Sequence, residues 1–136
     1  MKIFFAGSIR GGRSMLPVYI QIVEILKKQG HTVVSEHVAS VDLEKIEAKI
    51  TDEEIFNYDI GYVNECECLV ADVTIPSIGT GYEICYAVSK GKKVLCIYKE
   101  DANVSAMVRG NDRIVSVPYK NMEELDKSLA MHLHKL

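Results

Sequence analysis

The sequence predicts an α/β fold in which a five-stranded parallel sheet carries helices on both faces. Two observations lead there. Short β-prone apolar runs alternate with longer stretches whose apolar residues recur at helical spacing, the pattern of βα units joined by right-handed crossovers. Glycines fall where those units should turn, at Gly7, Gly30 and Gly91. Five strands suggest the flavodoxin-like, doubly wound order 2-1-3-4-5, in which ligands bind beyond the C-terminal strand ends, where the order switches between strands 1 and 3.

Residues 2–6 (KIFFA) are the first expected strand, closed by Gly7, and residues 16–29 (LPVYIQIVEILKKQ) a helix that Gly30 stops. Residues 31–37 (HTVVSEH) read as the second strand. A helix follows over 51–65, with Thr51 as N-cap and Asp52, Glu53 and Glu54 in its first turn, where the helix dipole favours carboxylates. Residues 68–73 (CLVADV) are the third strand, leading through the loop 74–79 into a helix that ends at Gly91. Residues 93–98 (KVLCIY) and 113–117 supply strands four and five, and in the terminal helix, 122–134, Leu125, Leu129 and Leu133 share a face. Residues 100–112 are the one long irregular stretch. With no repeat, linker or low-complexity segment, the 136 residues suit a single domain, 1–136.

Composition narrows the function. Hydrophobic residues make up 48% and charged residues 26%, and no apolar run approaches the ~20 residues that span a bilayer. The opening MKIFFAGSIRGG runs into a Gly-rich polar loop instead of a cleavage site, so a cytoplasmic protein with no membrane partner is expected. Cys66, Cys68, Cys85 and Cys96 include a C-x-C but no matching second pair, which reads as buried thiols, with neither metal nor cofactor. A net charge of −3 argues against binding a nucleic-acid polymer, which requires a basic face.

Strands 1 and 3 lead into the two glycine-rich loops. In the first, Gly7-Ser8-Ile9-Arg10-Gly11-Gly12-Arg13, glycines permit close backbone approach while a hydroxyl and two guanidinium groups precede a helix, an arrangement suited to phosphate. It nearly fits the P-loop G-x-x-x-x-G-K-[ST], but Arg13 stands where a flexible Lys point charge is required. In the second, Pro76-Ser77-Ile78-Gly79-Thr80-Gly81-Tyr82-Glu83, an acidic residue is expected in the first turn of a helix, ionised by the dipole and able to act as a nucleophile. Asp59 lies on an inward-facing stripe with Ile55, Phe56, Ile60 and Val63, where burial should raise its pKa and make it a general acid beside Glu83. Retaining glycosyl transfer uses such a pair about 5–5.5 Å apart.

Taken together, GSIRGGR, SEHV, IPSIGTGYE and SAMVRG resemble the 2'-deoxynucleoside 5'-phosphate N-hydrolases, relatives of the nucleoside 2-deoxyribosyltransferases, in order over nearly the whole chain. The resemblance implies a flavodoxin-like fold and a homodimer with composite active sites. It also implies cleavage of a nucleoside 5'-monophosphate into free base and sugar 5-phosphate. Carried over, Glu83 is the nucleophile at C1' and Asp59 protonates the departing base. Phe5, Ala6, Gly7, Ser8, Ile9, Arg10 and Gly11 line the sugar-phosphate pocket, Ser77, Gly79 and Gly81 cradle the phosphate, and Tyr19 and His37 lie near the base. Ser105, Ala106 and Met107 enter from the partner subunit. Tyr19 also fits a helix core position, and His37 a strand-end cap. The family usually has Tyr where this chain has Phe4; loss of that hydroxyl near Glu83 leaves room for a ribose 2'-OH, so Phe4 is expected to set sugar specificity. Two alternatives stay open: transfer of the sugar to another base, and a degenerate P-loop nucleotide kinase or binding module.

Overall fold

A computed structural model describes residues 1–9 and 13–136. Five parallel strands, β1 (Lys2–Ala6), β2 (Thr32–Val33), β3 (Cys68–Asp72), β4 (Lys93–Lys99) and β5 (Ile114–Tyr119), form one sheet of order β2-β1-β3-β4-β5, as the sequence predicts. Around it lie α1 (Leu16–Lys28), α2 (Leu43–Glu47), α3 (Asp52–Glu65), α4 (Ile78–Ser89), α5 (Ala106–Arg109) and α6 (Met122–Lys135). All five residues of β3 are buried, because a central parallel strand is covered on both faces.

Alternate strand residues feed two cores. Ile3 and Phe5 of β1 pack with Ile22 and Leu26 of α1 and with Leu125, Leu129 and Leu133 of α6. Phe4 and Ala6 face the other way, against Val63 of α3 and Ile84 and Ala87 of α4. Local chemistry sets the helix ends. Thr51 and Glu54 close a reciprocal capping box at α3, Ser77 caps α4 and Asn121 caps α6, while Gly30 and Gly91 take φ of 90° and 73° just beyond α1 and α4.

The second strand departs from expectation. Only Thr32–Val33 pair with β1, and the chain then turns into a 3-10 segment, Glu36–Ala39. Ser35 explains the change: its buried Oγ accepts from the Phe5 N–H at 2.7 Å and donates to the Phe5 carbonyl at 2.8 Å. The hydroxyl thereby supplies both bonds that a continuing strand would have given β1, and frees the backbone to turn. The short helices α2 and α5 were also unforeseen, each too brief to show a helical period.

Candidate active site

The ends of β1 and β3 meet at the switch point of the sheet. Beyond β1, Gly7 sits against Tyr19 of α1: a Cβ on Gly7 would lie 2.7 Å from Tyr19 Cζ, so only glycine fits. The Ser8 N–H donates to the Tyr19 hydroxyl at 3.0 Å, and Tyr19 itself is fully buried, edge-on to Phe5. Burial pushes the Tyr19 hydroxyl up to about 12, with the Asp72 carboxylate adding to the effect. Tyr19 is therefore a prop beneath the first loop and does not line the cleft. Gly7→Ala should cost about 1–3 kcal/mol of stability through overpacking, seen as a lower melting temperature; an unchanged melt would show that Tyr19 yields freely.

A cleft of about 640 Å³ opens above this loop, lined by Ala6, Gly7 and Ile9, by Glu47 of α2, Asp59 of α3, the cap residue Ser77, and Gly79 and Glu83 of α4. Asp59 and Glu83 thus come to one cavity from two helices. Asp59 faces inward with its side chain 24% exposed, 3.6 Å from His37 Nε2. The His37 ring also packs 5.4 Å from that of Tyr62. At the rim the half-exposed rings of Phe56 and Tyr82 meet edge-on at 6.1 Å, an apolar ledge of the size a base needs.

Glu83 differs from its expected setting. Since α4 begins at Ile78, Glu83 is the sixth helical residue, and the first turn of α4 carries no acidic residue. The dipole's influence has largely faded there. Burial pushes the Glu83 carboxyl up to about 8, and Asp59 and Glu47 push in the same direction. The expected ionised nucleophile is corrected accordingly: in the free protein at neutral pH, Glu83 holds its proton.

Ser77 Oγ accepts from the Thr80 N–H at 3.2 Å as the helix cap. Gly81 faces a neighbouring cleft of about 590 Å³ that shares the Pro76–Thr80 wall and is also lined by Ser105 and Met107. Ser105, Ala106 and Met107 are exposed, with Ser105 Oγ accepting from the Met107 N–H, and this chain does not bring them to the cleft of Glu83. Phe4 and Phe5 are fully buried in the two cores and do not line that cleft either. Arg10 and Gly11 lie outside the described residues. Arg13, expected beside phosphate, instead donates through Nη2 to the carbonyls of Val38 (2.9 Å) and Ser40 (3.1 Å), fastening the segment after β2. Sequence reasoning missed Glu47 and the Phe56–Tyr82 pair. Glu47 lies on the unforeseen α2, and the two rings come from different helices with no shared spacing.

A family model described as nucleoside 2-deoxyribosyltransferase matches residues 3–128. The chain belongs to the nucleoside 2-deoxyribosyltransferase family. Within it, a Methanococcoides burtonii protein provisionally named 2'-deoxynucleoside 5'-phosphate N-hydrolase 1 is 48% identical over 82% of this chain and 91% of its own length. The 5-hydroxymethyl-dUMP N-hydrolase of Rattus norvegicus is 41% identical over 80% of this chain and 69% of its own. Among solved structures, the Clostridium botulinum CMP N-glycosidase has the same fold, with a TM-score of 0.72 at 20% identity, covering 97% of this chain and 99% of that one. The family's transferase fold is thus the fold described above, and no described helix is long and apolar enough to cross a membrane.

Proposed function

We propose that this enzyme hydrolyses the N-glycosidic bond of nucleoside 5'-monophosphates, giving free base and (2-deoxy)ribose 5-phosphate through a sugar bound covalently to Glu83. The observation that carries this reading is the pair Asp59 and Glu83, which line one cleft at the sheet's switch point between two glycine-containing loops. The names of relatives sharing 41–48% identity support the same chemistry. In the first step a Glu83 oxygen bonds to C1' as the C1'–N bond breaks, and the bond electrons leave with the base nitrogen. Asp59, paired with His37, delivers the proton that the departing base takes up. In the second step water attacks C1', passes a proton to Asp59 and frees the Glu83 carboxylate. Ser8, Ile9, Arg10 and Gly11 hold the sugar and phosphate with Ser77 and Gly79, while Gly81, which faces the neighbouring cleft, is left out of this cradle; Ser8 Oγ is buried and has no partner among the described residues.

The test is release of free base from a panel of nucleoside monophosphates, with ATP as a control. Base release supports hydrolysis, whereas transfer of sugar to an added base in preference to water would favour a deoxyribosyltransferase. ATP consumption without base release would favour a kinase, a reading weakened by the engagement of Arg13 with backbone carbonyls.

Two finer features belong to the proposal. Phe4 is buried and does not itself line the cleft, but it lacks the hydroxyl that a Tyr at this position would add, so CMP and GMP should release base at least as fast as dCMP and dGMP; strict deoxy preference would refute this. The working unit is a cytoplasmic homodimer in which Ser105, Ala106 and Met107 complete the partner's cleft. Ile78 is 95% exposed and Met107 83%, an unusual cost for large apolar side chains beside a cleft unless a second copy covers them. Mixing Glu83→Ala with Ser105→Ala protein should restore up to about a quarter of wild-type activity by assembling one intact site in mixed dimers; no recovery after subunit exchange would argue against shared sites.

A further inference from the structure

Asp72 is fully buried at the end of β3, and the mechanism above makes no use of it. Its Oδ2 accepts from the Tyr119 hydroxyl at 2.6 Å, a contact that reaches from β3 over the intervening β4 to the end of β5. Its Oδ1 accepts from the Thr74 N–H at 2.9 Å. Thr74 Oγ1 in turn accepts from the Lys99 N–H at 3.0 Å, at the end of β4. One carboxylate oxygen is therefore spent on Tyr119 of β5 and the other on Thr74, in the turn that runs through Pro76 to Ser77, the cap of α4 and a wall of the Glu83 cleft. A buried carboxylate is costly, and satisfying it by charge-assisted bonds from two directions fixes geometry as well as energy.

We propose that Asp72 and Tyr119 are positioning residues which hold the 74–77 turn so that Ser77 stays set for the phosphate end of the substrate. The inference rests on the reading of Ser77 as a phosphate contact. Tyr119→Phe removes one hydroxyl and no packing volume of consequence, while Asp72→Asn keeps an acceptor for the Thr74 N–H but replaces the acceptor of the Tyr119 O–H by an amide donor and removes the charge. Neither residue lines the cleft of Glu83.

Calorimetric titration with ribose 5-phosphate tests this without turnover. Wild-type protein should bind it, and Tyr119→Phe and Asp72→Asn should each weaken binding about tenfold, as loss of a hydrogen bond to a charged group would. In nucleoside monophosphate hydrolysis KM should rise to a similar extent while kcat stays within about twofold. Because both variants break one device, the double variant should bind about as weakly as either single one. Binding by Tyr119→Phe within twofold of wild type would overturn the proposal, as would a fall in kcat at constant KM. Failure of both variants to fold would also overturn it, leaving the pair as a fold stabiliser. Failure of the wild-type protein to bind ribose 5-phosphate would instead overturn the phosphate reading itself.

Discussion

Replacing Glu83 by Ala is expected to lower base release from nucleoside 5'-monophosphates by on the order of 10³-fold or more, the scale on which covalent enzymes lose kcat when their nucleophile is removed. KM should change far less, because the loops after β1 and β3 and the Phe56–Tyr82 ledge remain. The variant should also fold. Glu83 is half-buried on the wall of an open cleft and is no part of either hydrophobic core, so its removal leaves the packing of the fold intact. A variant that released base at the wild-type rate would refute the assigned nucleophile.

The second large effect is on pH dependence. The folded Glu83 carboxyl titrates at about 8, against an ordinary value of 4.5. The native state therefore holds this proton more tightly than the unfolded chain, and the stability so gained is complete below pH 4.5. It declines as the pH rises through the interval and is fully lost above pH 8. Glu83→Gln cannot ionise and should escape the loss, melting at least about 3 °C above wild type at pH 8.5 while the difference vanishes toward pH 4.5. Catalysis runs the other way: only the ionised carboxylate attacks, so kcat/KM of the wild-type enzyme should climb through an apparent pKa near 8. A rate that fell with rising pH over this range would mark Glu83 as the general acid and move the nucleophile elsewhere.

These two expectations turn on where sequence reasoning stopped. The sheet order, the capping of α3 by Thr51 and the meeting of both loops at the switch point were legible, because apolar periodicity and glycine position encode them directly. Asp59 was legible too, as a carboxylate on an apolar stripe. The protonation of Glu83 was not. It depends on α4 starting at Ile78, inside the loop 74–79 that the sequence reading assumed, and on Glu47 arriving from a helix too short to announce itself. The end of β2 was hidden for a similar reason, since Ser35 replaces a strand's backbone bonds with those of one hydroxyl. Tyr19 illustrates a third limit. Its spacing fits a core helix position, and its hold on Ser8 and its demand for glycine at position 7 appear only when α1 is laid against the loop.

The central claim is that Glu83 carries the sugar, and the most direct measurement is the mass of the peptide containing Glu83 after acid quench during turnover. The account predicts a fraction of that peptide heavier by one (2-deoxy)ribosyl 5-phosphate, formed in step with a burst of free base. A burst of base accompanied by an unmodified Glu83 peptide, or by the same adduct on another residue, would contradict it.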